Sequence, residues 1–422
     1  MRRLILLVGA ALAVAACSPP SSAPVDSTAD EKTGTVRVWL FQEPNQPPKE
    51  AVVKEAIAEF TAAHAGVTVE VSYIPTNATR HEKFKGAFND PASAPDVAEY
   101  GNTDVADYVA AGGFADIPAA FAAGFDIPKD LLGTATINGK LYGIPWYVGI
   151  RALYYRTDVF AAVGLVAPTS YAELLDAAKK VRAARPDLYG IAVGGEYTFG
   201  AMPFVWDAGG DIATRSGGAW KSTLDTPESR AGVKAYTDLF AACPAQACAG
   251  NTGGKTVELF ASGKAAMGIL GNFSRGAVDA GVAKGKYAVV PLPGTRSGTI
   301  APAFAGGNNL GVFRGTKKRT LALDFIKVYA GQKYQLKMYD AMGNLPTISA
   351  ARAEAAAKDP FLKPFLDTAA AGTRFVPLDA AWVKIDSGKV IQTMLQKVIT
   401  GQATVDQATA EAATAVTNAF AR

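Results

Sequence analysis

TVRVWLF (35–41), EAVVKEAIAEFTAA (50–63) and VTVEVSYI (67–74) follow one another closely in the chain. The first and third segments alternate apolar and polar residues, as strands with one buried face do. The second repeats its apolar residues at the spacing of one helical face. A strand, a helix and a second strand in this order predict a β-α-β unit with parallel strands. We therefore expect an α/β protein.

Amphipathic helical segments continue along the rest of the chain. SYAELLDAAKKVRAA (170–184) predicts a helix whose N-cap is Ser170, because a serine hydroxyl can accept a hydrogen bond from the first helical turn. RGTKKRTLALDFIKVYAG (314–331) and KVIQTMLQKVITG (389–401) predict two more helices, and each ends on a glycine that we expect to be its C-cap. Strands separated by helices are typical of the α/β class.

The start of the chain, MRRLILLVGAALAVAACSPPSS (1–22), predicts export. Its apolar stretch, residues 4–16, has the length of a signal-peptide core and is too short to cross a bilayer as an anchor. The small residues before Cys17 resemble the bacterial lipobox, in which the cysteine is lipidated and becomes the first mature residue. We expect a signal peptide at 1–16 and a flexible tether at 17–33, with lipid on Cys17 holding the folded part at the outer face of the cell membrane. An ordinary signal peptide with an incidental cysteine is the alternative.

Composition narrows the classes of function. The 422 residues carry 42 Lys and Arg against 38 Asp and Glu, a net charge of +4 without a basic block, so we expect no nucleic-acid partner. The chain is too long for one compact core and is expected to form two domains. Only two histidines are present, and no cluster of His and Cys indicates a metal or a cofactor. We expect a monomer.

Two neighbouring cysteines, Cys243 and Cys248, lie in the segment CPAQAC. Outside the cytoplasm, a local disulfide is the expected state of such a pair. A metal site is the alternative, and it would need further ligands close by in the sequence. We therefore expect a disulfide that stabilises its own short loop.

Motifs for nucleotide binding and catalysis are incomplete. NTGGKT (251–256) looks like the end of a phosphate-binding loop, but Ala249 stands where that motif needs glycine. No G-x-S-x-G sequence is present. His64 and His81 have no companions that suggest catalysis, and we expect both to be solvated surface residues. We therefore expect a protein that is not an enzyme.

Several separated segments resemble one protein family. The longest, GKLYGIPWYVGIRALYYRTDVFAAVGL (139–165), has a Tyr-Gly-x-Pro turn followed by a strand that ends in Tyr-Tyr-Arg. The others are PDVAEYGNTDVADYVAAGGFADI (95–117), APTSYAELLDAAKKV (167–181), LFASGKAAMGILGNFSRG (259–276), VVPLPG (289–294), FAGGNNLGVFRGTKKRTLALDFIKVYAG (304–331) and GNLPTISA (343–350). Together they are similar to the extracellular solute-binding proteins of ABC importers, in the family that includes maltodextrin- and trehalose-binding proteins.

The resemblance implies two α/β lobes joined by hinge strands, with a ligand cleft between the lobes as in periplasmic binding proteins. It assigns residues 34–147 and 303–348 to lobe 1, and residues 149–301 and 349–422 to lobe 2, the last of these segments capping the cleft. We expect the chain to cross the hinge near positions 148, 302 and 348. Ligand binding would close the lobes, and the permease subunits of the importer would recognise the closed form.

The resemblance also implies which residues contact the ligand. A sugar has apolar C–H faces and a rim of hydroxyls, so aromatic rings would cover the faces and a few polar groups would bind the hydroxyls. The candidates lie mainly in loops at strand ends and are Gln42, Glu43, Tyr100, Asn102, Asp104, Trp146, Tyr147, Arg151, Tyr197, Phe199, Trp206, Asn272, Phe273, Gly306, Gly307, Asn308, Arg374 and Trp382.

Some candidates have a structural alternative. Trp146 and Tyr147 follow a rigid Gly-Ile-Pro turn and are expected at the cleft wall, but they could instead pack in a lobe core. Trp206 could equally be a core residue, and Arg151 could form a structural ion pair. Phe273 stands where relatives commonly carry Trp, so it keeps a stacking face and lacks the indole donor.

The resemblance implies capture of a carbohydrate, a di- or oligosaccharide, for import through an ABC permease. A glycerophosphodiester or another anionic or zwitterionic solute is the first alternative, and it would need a cationic pocket built from Arg151, Arg275 and Arg374. An extracytoplasmic glycan hydrolase is the second alternative. It would need paired carboxylates, for which Glu43 and Asp104 are the candidates.

Overall fold

The computed structural model of the chain describes residues 29–421, with the exception of Pro44, Asn77, Ala78 and Pro91. The predicted signal peptide, Cys17 and most of the predicted tether therefore lie outside the described residues. Within the described residues, no helix combines the length and the apolar character needed to cross a membrane.

The described residues form fourteen strands and nineteen α-helices. The strands are β1 (Gly34–Phe41), β2 (Val67–Ile74), β3 (Val97–Gly101), β4 (Thr136–Ile137), β5 (Lys140–Leu141), β6 (Ile144–Gly149), β7 (Arg151–Arg156), β8 (Ala213–Ser216), β9 (Ala219–Ser222), β10 (Met267–Gly271), β11 (Tyr287–Val290), β12 (Ala303–Phe304), β13 (Gly306–Val312) and β14 (Thr373–Arg374). The helices are α1 (Gln46–Ala63), α2 (Arg80–Asn89), α3 (Val105–Ala110), α4 (Ala119–Ala122), α5 (Lys129–Gly133), α6 (Thr157–Ala162), α7 (Tyr171–Ala184), α8 (Thr198–Asp207), α9 (Pro227–Asp238), α10 (Ala245–Ala249), α11 (Gly253–Ala261), α12 (Arg275–Asp279), α13 (Arg319–Tyr329), α14 (Gln332–Met342), α15 (Ser349–Lys358), α16 (Lys363–Ala370), α17 (Ala381–Ser387), α18 (Val390–Ile399) and α19 (Val405–Phe420). Short 3₁₀ turns lie at Asn102–Asp104, Ala123–Phe125, Leu239–Ala242, Asn272–Ser274 and Pro360–Leu362.

The first sheet has five strands in the order β2-β1-β3-β13-β6. β1 is parallel to β2 and β3, so the predicted β-α-β unit is confirmed, with α1 as its crossover helix. β13 runs antiparallel to β3 and β6. The ends of β1, β3 and β6 and the start of β13 consequently lie along one edge of the sheet, and the polar loops that follow these strands meet there.

The second sheet has three strands in the order β10-β7-β11, with β7 antiparallel to both neighbours. A single residue, Ile150, separates β6 of the first sheet from β7 of the second. The chain returns to the first sheet through β12 and β13. The main-chain N–H of Val148 also donates to the carbonyl of Leu345 at 3.0 Å, so several segments run side by side between the two sheets.

Local capping follows the sequence in some helices and departs from it in others. The Ser170 hydroxyl accepts from the main-chain N–H of Glu173, as predicted for an N-cap. The expectation that Gly401 is the C-cap of α18 is wrong, because the cap is Thr400; Gly401 follows it in the left-handed conformation, with φ of 72°. The expectation for Gly331 is wrong, because α13 is capped at Ala330 and Gly331 is the N-cap of α14. The predicted helix at 314–331 is likewise shorter and begins only at Arg319.

Cys243 and Cys248 are joined by a disulfide in the structure, at either side of the start of α10. Both cysteines are buried in the hydrophobic core beside the second sheet, which also contains residues of α7, α8, α9, α18 and α19. The bond therefore lies within one core, and it does not connect the two sheets.

Candidate functional site

A cavity of about 1150 Å³ opens at the edge of the first sheet where the strand ends meet. Its other walls come from the start of β7, the turn after β10, helix α12 and the segment that ends α14. The cavity thus lies between the elements of the two sheets. A concave site that brings together loops from different parts of the chain is the usual form of a small-molecule site.

Many of the sequence-predicted residues line this cavity. They are Glu43, Asn102, Asp104, Tyr147, Arg151, Phe199, Asn272, Phe273, Gly306, Gly307 and Asn308. They come from both sheets and from segments far apart in the sequence, so the fold brings together what the resemblance placed at strand ends.

Three predicted aromatic residues lie in hydrophobic cores instead. Trp146 is fully buried, because side chains alternate along β6 and the neighbouring Tyr147 is the one that points to the cavity. Tyr100 packs in a cluster of aromatic rings beside the first sheet, which includes Phe114 at 4.5 Å between centroids. Trp206 is buried on α8, and its indole N–H donates to Asp211 at 3.0 Å.

Four more predicted residues do not line the cavity. Tyr197 is buried behind it and supports Arg151, whose Nε donates to the tyrosine hydroxyl at 2.8 Å. Trp382 is buried on α17. Gln42 and Arg374 are exposed at other positions, Arg374 in the two-residue strand β14 that pairs with β12.

A buried ion pair lies directly beneath the cavity. Lys49 and Glu99 are both fully buried, and Nζ of Lys49 lies 3.0 Å from Oε2 of Glu99. The ammonium also donates to the carbonyl of Phe41 at 2.7 Å and lies 3.5 Å from Glu43. Glu99 accepts from the N–H of Phe41 at 2.8 Å and from the amide of Asn308 at 2.5 Å. The pair therefore positions three residues of the cavity wall.

The buried pair also affects the pKa of Glu43. Burial raises the pKa of its carboxyl above the ordinary range, the nearby Lys49 ammonium opposes that rise, and Glu99 adds to it. The main-chain N–H of Glu43 donates to the side-chain oxygen of Gln46 at 2.9 Å, which closes the turn into α1. These contacts with Gln46 and Lys49 fix the position of Glu43, whose side chain lies at the cavity wall.

A second cluster of charged and polar side chains surrounds Asp104 at the cavity wall. Nη2 of Arg80 lies 3.0 Å from Oδ2 of Asp104, and Nε2 of His81 lies 3.7 Å from Oδ1. His81 also contacts the hydroxyl of Tyr108 at 3.2 Å, and the Arg80 guanidinium lies over the ring of Phe41 at 5.2 Å. Burial raises the pKa of Asp104, against the effect of the two basic neighbours.

The expectation that His64 and His81 are solvated surface residues is wrong. His81 is half-buried at the cavity wall, because α2 starts at the same sheet edge at which β2 ends. His64 is half-buried against the ring of Phe60 at 4.3 Å and lies 3.3 Å from Asp324.

Aromatic rings surround the guanidinium of Arg151. Its central carbon lies 5.4 Å from the ring centroid of Phe199, 5.7 Å from that of Phe273 and 5.8 Å from that of Phe304. A planar cation among ring faces is held by cation–π attraction and keeps its remaining N–H groups for a ligand. The cluster presents apolar ring surface and a donor at the same wall.

Asn272 and Phe273 have different roles although they are adjacent. Oδ1 of Asn272 accepts from the N–H of Ile150 at 2.9 Å, and its Nδ2 donates to the carbonyl of Gly343 at 2.7 Å. Asn272 therefore ties together three chain segments at the passage between the sheets. Phe273 is 43% exposed, and its ring lies against Gly271, where a Cβ atom would come within 2.3 Å of the ring.

Gly307 allows the backbones of β13 and β6 to approach at the cavity floor. Its φ of 151° lies in the region that favours glycine, and a Cβ atom there would lie 2.3 Å from the carbonyl oxygen of Tyr147. The neighbouring Asn308 is buried and donates to Glu99. Any side chain at 307 would therefore displace the strand that carries Tyr147.

Carboxylates outnumber cations at the cavity wall. The acidic residues are Glu43, Asp104, Asp279, Asp340, Asp359 and Asp386, and the basic residues are Arg80, His81, Arg151 and Arg275. Arg275 is already paired with Asp359 and lies 3.5 Å from Asp279. The cationic pocket that an anionic solute needs is therefore not formed by the predicted set, because Arg374 lies elsewhere and Arg275 is neutralised.

Sequence reasoning missed several residues of the site. Glu99 had a usable signal, since it is a charged residue in the otherwise apolar strand β3, whereas Lys49, between Pro48 and Glu50 at the start of α1, had none. Phe304 and Phe361 were missed because a phenylalanine that lines a cavity is indistinguishable from a core residue in the sequence. Asp386 on α17 reaches the wall only through tertiary packing of the C-terminal helices.

Two separate sheets with a large cavity at the strand ends between them define the architecture of a two-lobed solute-binding protein. The family described as bacterial extracellular solute-binding proteins matches residues 55–364, and the chain belongs to it. The folded part of the chain therefore belongs outside the cytoplasm.

This chain is similar to two known proteins in sequence and to two solved structures in fold, over 78–96% of its length. It is 27% identical over 429 residues to the diacetylchitobiose-binding protein DasA of Streptomyces coelicolor, with 96% of each chain covered. It is 26% identical over 349 residues to a lactose-binding protein of Rhizobium radiobacter, with 78% of each covered. The GacH receptor of Streptomyces glaucescens, solved unliganded and with acarbose, gives a TM-score of 0.78 at 23% identity, covering 93% of this chain and 99% of that one. Maltose-bound MalE3 of T. maritima gives 0.76 at 23% identity, covering 90% and 99%.

Proposed function

We propose that this protein captures a di- or oligosaccharide in the cavity between its two sheets and delivers it to an ABC import permease. The observation that carries the proposal is the composition of the cavity wall. Ring faces of Tyr147, Phe199 and Phe273 lie beside amide and carboxylate groups such as Asn308 and Asp104. Rings cover the C–H faces of a sugar, and the polar groups bind its hydroxyls.

Cavity size favours more than one sugar unit. Ligand pockets in proteins span roughly 300–1,000 Å³, and this cavity has about 1150 Å³. The named relatives support a carbohydrate, because their ligands are given as diacetylchitobiose and lactose. The excess of carboxylates at the wall weighs against the anionic alternative.

Delivery would follow from closure of two lobes around the ligand. We propose the lobe division 34–147 with 303–348, and 149–301 with 349–422, with hinge crossings near positions 148, 302 and 348. The Asn272 amide, which bonds to Ile150 and Gly343, ties the segments beside the first and the last of these crossings. A ligand that touches both lobes stabilises the closed state by its additional contacts there. The permease would then distinguish loaded from empty protein by the relative position of the lobes.

Attachment to the membrane is a separate part of the proposal. Lipidation of Cys17 would hold the protein at the outer face of the cell membrane, near its permease. Radioactive palmitate should label the wild-type chain and should not label Cys17→Ser, which should appear in the soluble fraction. Equal labelling of both chains would contradict the anchor.

The function is tested by calorimetric titration of a soluble chain that starts after Cys17. The sugars are maltose, trehalose, lactose, cellobiose, N,N′-diacetylchitobiose and simple hexoses, with the zwitterion glycerophosphocholine as the probe of the glycerophosphodiester alternative. We expect a dissociation constant of about 1 μM or lower for one of the sugars, which corresponds to roughly −8 kcal/mol.

Phe273→Ala should weaken that binding about ten-fold or more, because it removes a half-exposed ring face from the wall and little packing from the core. Val282→Ala is the matched control, since Val282 is 60% exposed in the turn after α12 and does not line the cavity. Binding of glycerophosphocholine alone, or equal sugar affinity in Phe273→Ala, would overturn the proposed carbohydrate site.

A further inference from the structure

We propose that the ligand extends beyond the main cavity into a second, smaller cavity, which is a subsite for a further sugar unit of an oligosaccharide. This inference rests on the proposed carbohydrate function and adds the length of the ligand to it. The side cavity has a volume of about 440 Å³ and lies between α12, β11 and the start of α16. Of the residues that line the side cavity, the sequence singled out only Arg275, as part of the cationic pocket that an anionic solute would need.

The two cavities share part of their walls. Arg275, Asp279 and Phe361 line both of them. The side cavity therefore begins where the main cavity ends along α12. A linear ligand seated in the main cavity and directed along α12 would reach these three side chains before any other part of the side cavity.

The shared wall is held in place by its own contacts. The Arg275 guanidinium lies over the Phe361 ring at 4.5 Å and pairs with the Asp359 carboxylate. That carboxylate also accepts from the hydroxyl of Tyr339 at 2.6 Å. The wall is preorganised, so a ligand would not have to order these side chains when it binds.

Chemistry at the wall suits a sugar. The half-buried rings of Phe361 and Tyr287 supply apolar surface, and the hydroxyl of Tyr287 donates to Asp279 at 3.0 Å. Asp279 and Arg275 bring an acceptor and a donor to the same place. Rings beside fixed hydrogen-bonding groups repeat, at smaller size, the composition of the main cavity.

Strand β11 leaves room on the far side of the wall. It is the edge strand of the second sheet, and its residues are half-buried because no further strand covers them. Ala288 and Gly285 line the side cavity with small or absent side chains. The floor of the side cavity thus has space beside an edge strand, whose outward main-chain N–H and C=O groups a sugar hydroxyl can bind.

The experiment measures affinity against chain length. Calorimetric titration would compare the disaccharide, trisaccharide and tetrasaccharide of the maltose and the N,N′-diacetylchitobiose series with wild-type protein and Ala288→Trp. Tryptophan fits an edge strand and would fill the side cavity without touching the main one. Val282→Trp is the control, because Val282 precedes β11 and lines neither cavity.

We expect the trisaccharide or tetrasaccharide of one series to bind wild-type protein at least ten-fold more tightly than its disaccharide. Ala288→Trp should abolish that gain and leave disaccharide affinity unchanged, and Val282→Trp should keep the gain. Equal affinities for two and more units in wild-type protein would overturn the subsite and leave the carbohydrate function intact. Absence of binding by every sugar would refute the proposed function and this inference with it. Should Ala288→Trp fail to fold, equal affinities across the wild-type series would still overturn the subsite.

Discussion

The buried Lys49–Glu99 pair gives the sharpest test of how the cavity is built. Lys49→Met removes the ammonium and leaves the Glu99 carboxylate fully buried without its cation. Removing one partner of a buried pair costs roughly 3–5 kcal/mol, because the remaining charge is uncompensated. We expect the free energy of unfolding of Lys49→Met to fall by about that amount.

The double variant Lys49→Met/Glu99→Gln separates stability from ligand binding. The double variant carries no charge at position 49 or 99. A buried neutral amide that lacks one hydrogen-bond partner costs roughly 1–3 kcal/mol, less than an unpaired carboxylate does, so the double variant should be more stable than Lys49→Met. It should still bind sugar about ten-fold more weakly than wild type, because Glu99 accepts from two residues of the cavity wall, the Asn308 amide and the Phe41 main-chain N–H, and the NH2 of an amide at 99 must face one of these donors.

Urea unfolding followed by tryptophan fluorescence measures the first effect, and titration calorimetry measures the second. Trp146 reports locally, since its ring lies 5.7 Å from Nζ of Lys49. Lys54→Met is the matched control on the same helix, because Lys54 is exposed, and its effect should stay within about 0.5 kcal/mol. A loss below about 1 kcal/mol in Lys49→Met, or a double variant no more stable than it, would refute the reasoning.

Three further predictions follow from single side chains. Trp146→Ala should cost about 3–5 kcal/mol in urea unfolding, because it opens a cavity in a core where the indole packs on Tyr329 at 5.1 Å; a stable variant with only weaker sugar binding would place the indole in the site instead. Tyr147→Phe should lower sugar affinity about three- to ten-fold in calorimetry, because it removes from a residue of the cavity wall the hydroxyl that hydrogen-bonds with Asn308; unchanged affinity would exclude a role of this hydroxyl in binding. Asp207 is buried, which alone would raise the pKa of its carboxyl, but hydrogen bonds from Thr295 and its neighbours hold that pKa below its ordinary value of 3.8. The carboxylate therefore stabilises the fold above the unfolded-state pKa and loses that effect as the pH falls through the folded-state value. Asp207→Asn should be about 2 kcal/mol less stable at pH 7, with a difference that shrinks below about pH 4; a constant difference down to pH 2 would contradict this.

Membership of the α/β class could be predicted from short-range patterns. The alternation in 35–41 and 67–74 and the helical period between them are properties of neighbouring residues, and β1, α1 and β2 lie where these patterns place them. The Ser170 cap is equally local. Gly331 shows the limit of such patterns, because a glycine between two helical segments can end the first or begin the second, and packing decides which.

Some residues of the candidate site could likewise be predicted from the sequence, and others could not. Asn102, Asp104 and Asn308 were predictable because they follow or begin strands whose ends share one sheet edge. Trp146 and Tyr147 were not separable from sequence, since the pleat sends one of two adjacent residues to the core and the other to the cavity, and its phase depends on strand register.

By itself, the amino-acid sequence determined the class of fold and the family, because these follow from local periodicity and from residue patterns that survive in order along the chain; the export signal stays a prediction. Only the tertiary structure decided which side chains face the cavity, that Lys49 and Glu99 support it from below, and that a second cavity adjoins it across Arg275. These are contacts between residues distant in sequence, as with Asn308 and Glu99, and their geometry depends on how whole sheets and helices pack.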